Sequence, residues 1–339
     1  MNIFQCPNCS NTVYFENTSC ENCERTLGYH LESDNFKIPD NNSLKFCKNY
    51  IYDNCNWLIN VSDENDFCTA CQLNRTIPNK RDLDDFNKWE QLEFAKHRLI
   101  YQLYKLKLPL VAKNHNDKGI AFDFLSENNK ENKLTGHADG VVTIILSEAD
   151  AVHRAQLKKL MNEPYRTLLG HFRHEIGHYY WMLFFEKEHL QSFRNLFGDE
   201  RKDYGKSLEA HYKNGEQKDW NVNFISNYAS SHPWEDWAET WAHYLHIMDT
   251  LETASSLGIS FTKSKTILSK DCVSNFDDPY KIKDFRKIFD ASITLTSAAN
   301  SLNRAMGLPD IYPFIIPEPV YFKLEFIHNL LFNNNWNLK

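Results

Sequence analysis

Apolar residues recur at helical spacing along "DDFNKWEQLEFAKHRLIYQLYKLKLPL", at Trp89, Leu92, Phe94, Leu99, Ile100, Leu103 and Leu106. That period predicts a helix, which Pro109 must end because proline lacks the donor the next turn needs. Residues 140–150, "GVVTIILSEAD", are β-branched and apolar and read as a strand. From Pro164, a favourable first-turn residue, "PYRTLLGHFRHEIGHYYWMLFFEKEHL" reads as one long helix. Pro233 opens another, in which Trp234, Trp237, Ala238, Trp241 and Leu245 form an apolar stripe. The last stretch, "GLPDIYPFIIPEPVYFKLEFIHNLLFNNNW", is broken by Pro309, Pro313, Pro317 and Pro319 and then turns amphipathic.

The first 80 residues show no such periods and carry chemistry instead. Eight of the nine cysteines lie within residues 1–71, and six of them form three C-x-x-C pairs. Cys6, Cys9, Cys20 and Cys23 make C-x2-C…C-x2-C, a spacing in which two tight knuckles give four thiolates to one zinc ion. Cys47, Cys55, Cys68 and Cys71 supply a second set, more widely spread, and spacing alone leaves open which cysteines share a metal. Cys272 stands apart.

Charge narrows what this module binds. The chain has a net charge of -7, and residues 1–80 hold six Lys and Arg against ten Asp and Glu. Phosphate backbones require cations, so nucleic acid is not the expected partner; a structural role for the metal, or a protein partner, is. No basic and apolar leader opens the chain, and no run of about 18 apolar residues could span a bilayer. The expectation is a cytoplasmic protein without membrane attachment.

The second predicted helix carries "HFRHEIGHYYW". His174 and His178 lie at i and i+4, one above the other, so both can reach one zinc ion. Glu175 points to the side where it can take a proton from water and return it to a leaving amine. His171 shares the face but reads as a packing residue. Glycine and histidine are absent at the downstream positions, Trp181 and Phe184, where some zinc peptidases find a third ligand. The alternative is "HPWEDWAETW", where Glu235 can ligate while Glu239, four residues on, orients a ligating histidine. Taken alone, those acidic residues would pass equally for a solvated helix face. "TGHADG" and "FGDERKDYG" read as ordinary loops.

"HEIGH" followed by "WEDWAETW" resembles the gluzincin peptidases, and E-x-x-A-E-x-aromatic is similar to the pattern of lethal factor-type enzymes. With the cysteine-rich front, the chain from Cys6 to about Gly258 resembles a bacterial family of zinc-binding metallopeptidases with an N-terminal zinc-ribbon domain. The resemblance implies His174, His178 and Glu235 as zinc ligands, Glu175 as base and Glu239 as the residue behind a ligand. It also implies an oxyanion donor seven residues before the ligand Glu, which is Tyr228, with His232 as competitor.

The expected fold is α+β: a mainly helical zincin-like domain over residues 79–300, after a zinc-ribbon module over 1–78. Residues 301–339 form a proline-rich segment and a helix packing on the core. The expected cofactors are three zinc ions, one catalytic and two structural. The expected activity is hydrolysis of peptide or protein substrates, against the alternative of an inactive, zinc-dependent binding protein.

Overall fold

The computed structural model describes residues 1–79, 81–127, 135–160, 167–185, 189–261, 275–333 and 336. The architecture is α+β, with a cysteine-rich ribbon module preceding a mainly helical part. Two compact units divide the chain, residues 1–160 and residues 161–336.

In the first unit, β1 (Phe4–Gln5) and β2 (Thr12–Val13) form a two-stranded ribbon. Next come β3 (Gly28–His30), β4 (Asn35–Lys37), β5 (Leu44–Phe46) and β6 (Trp57–Asn60), hydrogen-bonded in the order β4-β3-β6-β5. Aromatic rings fill the space that so short a sheet leaves: Phe4, Phe15, Tyr29, Phe36 and Trp57 are buried edge to face. A second sheet has the order β7-β8-β10-β9, from β7 (Asn74–Thr76), β8 (Ala121–Leu125), β9 (Gly136–Ala138) and β10 (Val141–Ile145). Its central strands β8 and β10 run parallel.

Helix α1 (Leu83–Lys105) precedes β8 and buries Trp89, Leu92, Leu99, Ile100 and Leu103, five of the seven periodic apolar positions, with Phe94 and Leu106 half-buried. Asp82 caps its first turn, and Lys107 in the left-handed region ends it two residues before Pro109. The strand expected over 140–150 stops at Ile145; Leu146–Ala149 turn into a 3-10 helix and lead to α2 (Ala151–Leu160).

The second unit is built on two helices. α3 (Leu168–Phe184) carries the H-E-x-x-H segment and α7 (Pro233–Ser256) the two glutamates. Thr167 caps α3 by accepting from the Gly170 amide; Pro164 lies outside the described residues. The helix does not run on to Leu190 as the periodicity suggested. It ends at Phe184, because Phe185 turns its ring onto Phe193 and Trp237, each 5.0 Å away, and α4 (Leu190–Phe197) starts afresh after His189 in the left-handed region.

Between α4 and α7 lie α5 (Tyr204–Asn214), α6 (Trp220–Asn223) and a 3-10 turn, Tyr228–Ser231. α8 (Phe285–Ala305) and α9 (Glu318–Asn333) pack on α7. Lys323 of α9 places its ammonium 2.7 Å from buried Asp236. Cys272 lies outside the described residues. No helix among the described residues is long and apolar enough to cross a membrane.

Candidate metal centre

Gly177 is the reason α3 and α7 come so close. A β-carbon there would meet the Ala238 Cα at 3.1 Å and the Trp241 ring at 3.1 Å, and its carbonyl accepts from the Trp237 indole at 2.8 Å. This close approach sits between His174 and His178 on one helix and between Glu235 and Glu239 on the other.

The result is a convergence of three side chains. His174 and His178 face each other with their Nε2 atoms 3.2 Å apart. Glu235 lies beneath, with Oε2 3.0 Å from His174 Nε2 and Oε1 3.6 Å from His178 Nε2. Zinc bonds to nitrogen and oxygen of about 2.0–2.2 Å put the corners of a tetrahedron about 3.3–3.6 Å apart, so these spacings are close to those of a shared ion. The stronger sign is Glu235 Oε2 itself. It is fully buried and makes no hydrogen bond; the approach of His174 lies outside hydrogen-bond geometry. A buried carboxylate oxygen without a donor is costly unless a cation faces it. The residues present therefore fit a zinc ion.

The surroundings hold Glu235 as the carboxylate a metal requires, whereas His174 must give up the proton its two carboxylates favour before its Nε2 can bind an ion. Burial opposes the charged carboxylate of Glu235, but the two histidines outweigh it and hold its pKa well below the ordinary value. His174 is pushed down by burial and pulled up more strongly by Glu235 and Glu239, ending well above the usual imidazole range. Its Nδ1 donates to Glu239 Oε1 at 2.7 Å, which turns Nε2 toward Glu235 and His178. Glu239 is fixed in turn: Ser226 donates to its Oε2 at 2.7 Å, and Ser226 itself accepts from the Ala229 amide.

Tyr204, in a loop-like stretch given no role from the sequence, donates its hydroxyl to Glu235 Oε1 at 2.8 Å. Tyr228 has its ring centroid 5.9 Å from that of His174, and Glu235, Tyr204 and Glu175 are among its electrostatic neighbours. Burial raises the Tyr228 hydroxyl well above its ordinary pKa, so it stays a donor. His232 is committed elsewhere. Its Nδ1 accepts from the Trp234 amide and caps α7, while Nε2 donates to the Lys202 carbonyl at 3.1 Å.

The cysteines sort into the two sets in chain order, without interleaving. Cys6 Sγ lies 3.7 Å from Cys23 Sγ and Cys9 Sγ 3.5 Å from Cys20 Sγ. Four thiolates on one zinc at about 2.3 Å would stand about 3.8 Å apart. The knuckles close through Ser10 and Glu24, both at positive φ and each donating its amide to the carbonyl of the first cysteine of its pair. Cys47, Cys55, Cys68 and Cys71 are all buried, with Cys55 and Cys68 sulfurs 3.7 Å apart. Eight free cysteines stand among the described residues.

Helix α1 closes the second cluster with residues that cysteine spacing could not reveal. His97 Nδ1 donates to the Glu93 carbonyl at 2.7 Å, leaving Nε2 3.7 Å from Cys71 Sγ and 3.9 Å from Cys68 Sγ. Glu93 Oε1 lies 3.6 Å from Cys71 Sγ and 2.6 Å from the ammonium of Lys96, which is itself buried.

Comparisons with known proteins match two stretches of the chain. Residues 85–330 match a family model described as "Putative zinc-binding metallo-peptidase", and residues 3–82 match a zinc-ribbon domain. Proteins of Mycobacterium tuberculosis and Mycobacterium bovis, each named an uncharacterized protein, are 40% identical over 336 residues, covering 98% of this chain and 95% of each relative. No solved structure matches.

Proposed function

The chain belongs to this family of zinc-binding metallopeptidases, and from that premise we propose that it cleaves peptide bonds in peptide or protein substrates at a gluzincin-type centre. His174, His178 and Glu235 hold the ion. The observation that carries this reading is the buried, undonated Oε2 of Glu235, 3.0 Å from His174 Nε2, in a carboxylate that faces two adjacent imidazoles. Zinc so held supplies a Lewis acid for the scissile carbonyl and acidifies water. Glu175, on the turn of α3 between the two histidines, accepts the proton of the attacking water and returns it to the departing amine. Tyr228 donates to the carbonyl oxygen as negative charge develops there. His232 is the weaker candidate for that role, since both of its ring nitrogens serve the backbone.

Two further zinc ions, one in each cysteine cluster, have a folding role in the ribbon module over residues 1–78. The peptidase domain is then read over 79–300 and the C-terminal segment over 301–339, of which α9 packs on α7. Eight cysteines outside disulfides suit a reducing compartment, which supports the reading of a cytoplasmic protein. The test is turnover of an unfolded protein mixture by zinc-loaded wild type and by Glu175→Gln. Loss of the base should lower the rate by roughly 10²–10⁴-fold with metal content unchanged. Equal proteolysis by both would reject the assignment, and no proteolysis by either would favour a binding protein.

A further inference from the structure

Tyr204 has an unusual position for a residue touching a buried carboxylate. It is the first residue of α5, a helix with no buried residue, and its own side chain is 37% exposed. Its ring lies against His232 and Trp234, with centroids 5.2 and 5.7 Å away, so the direction of the hydroxyl is set by packing. That hydroxyl reaches Glu235, whose side chain is 1% exposed. The two carboxylate oxygens are thus made unequal. Oε1 accepts the Tyr204 proton and lies 3.6 Å from His178 Nε2, while Oε2 has no donor and stands 3.0 Å from His174 Nε2.

We propose that Tyr204 is a positioning residue of the metal centre: by engaging Oε1 it fixes the rotation of Glu235, so that Oε2 alone binds the ion. This rests on the metal-centre reading above and adds the residue that sets its ligand geometry. A carboxylate free to turn would offer both oxygens and raise the coordination number, filling the position a substrate carbonyl needs. The arrangement also links the seating of an exposed helix to the affinity of a buried metal site. His211, two turns along the same helix, supports that seating with its ring centroid 6.1 Å from that of Tyr228.

The test uses the full chain and two probes, zinc and cobalt. Zinc affinity is measured by chelator competition for wild type, Tyr204→Phe and Tyr212→Phe, with His174→Ala/Glu235→Ala marking which bound ion belongs to this site. Cobalt is then placed in that site with zinc retained in the cysteine clusters, and its visible spectrum reports coordination number. Tyr204→Phe should bind the ion about 10–100-fold more weakly and shift the cobalt spectrum toward five-coordination, while Tyr212→Phe, exposed on the same helix, should do neither. Unchanged affinity and spectrum in Tyr204→Phe would overturn the role of Tyr204 and leave the metal centre standing. Equal weakening in Tyr212→Phe would also overturn it, making the effect a general one of the helix. Full metal retention in His174→Ala/Glu235→Ala would overturn the centre as well.

Discussion

Glu239 and Lys96 illustrate how much of each site depends on side chains that touch no metal. Glu239 accepts from His174 on one oxygen and from Ser226 on the other, so it has no freedom to turn. Glu239→Ala should release the His174 ring and weaken zinc at that site by about 10–100-fold, read by chelator competition, with both cysteine clusters still loaded. An affinity equal to wild type would show that the ring is held by packing. Lys96 poses a different case, since it and Glu93 are both fully buried beside the second cluster. Lys96→Met would strand the Glu93 carboxylate and should cost about 3–5 kcal/mol of unfolding free energy, whereas Glu93→Gln/Lys96→Met should recover most of it. If the double variant were as unstable as the single one, the pair would matter through something other than its charge.

At the scale of elements, the site exists because α3 and α7 approach at Gly177. Alanine there would gain helix propensity of about 1 kcal/mol. It would also press on the Ala238 backbone and on the Trp241 ring at 3.1 Å, neither of which can easily yield. Gly177→Ala should therefore lower stability by about 1–2 kcal/mol and weaken the metal site, because the spacing of His174 and His178 against Glu235 changes with the helices. An unchanged thermal midpoint together with unchanged zinc affinity would mean the helices can part without cost.

This same scale separates what was legible in the sequence from what was not. His174, His178, Glu235 and Glu239 could be found because each pair lies four residues apart on one helix, where chain position determines the face. The cysteine knuckles were legible for the same local reason. Tyr204 and Ser226 come from other segments and meet the glutamates only through folding, so no spacing announced them. His97 and Glu93 were hidden in a helix whose apolar period already explained it. The end of α3 was missed because the sequence after it, Glu186, Lys187 and Glu188, consists of good helix formers without a stop signal, while the turn of Phe185 toward Phe193 and Trp237 is set by packing.

Across the whole molecule, pH should act on stability through histidines buried without charge. Burial pushes His243 down to about 4, against a smaller opposing effect of Glu239, and its Nδ1 lies 2.6 Å from the Tyr312 hydroxyl. An unfolded histidine titrates near ~6.5. Above that value neither state takes up the proton and the contribution to stability is whole. As pH falls from ~6.5 toward 4 the unfolded chain alone binds it, and on the order of 3 kcal/mol is lost. Thermal unfolding of the wild type should weaken over this window, and His243→Gln should flatten the slope. A slope the same in both would place the acid sensitivity elsewhere.

The most direct measurement of the central claim is metal content per chain, by mass spectrometry of the intact wild type and of His174→Ala/Glu235→Ala. Three sites predict about three zinc ions in the wild type and about two in the variant, the cysteine clusters being untouched. A count that stays at about two in both proteins would contradict the metal centre and leave the H-E-x-x-H segment an ordinary helix bearing histidines.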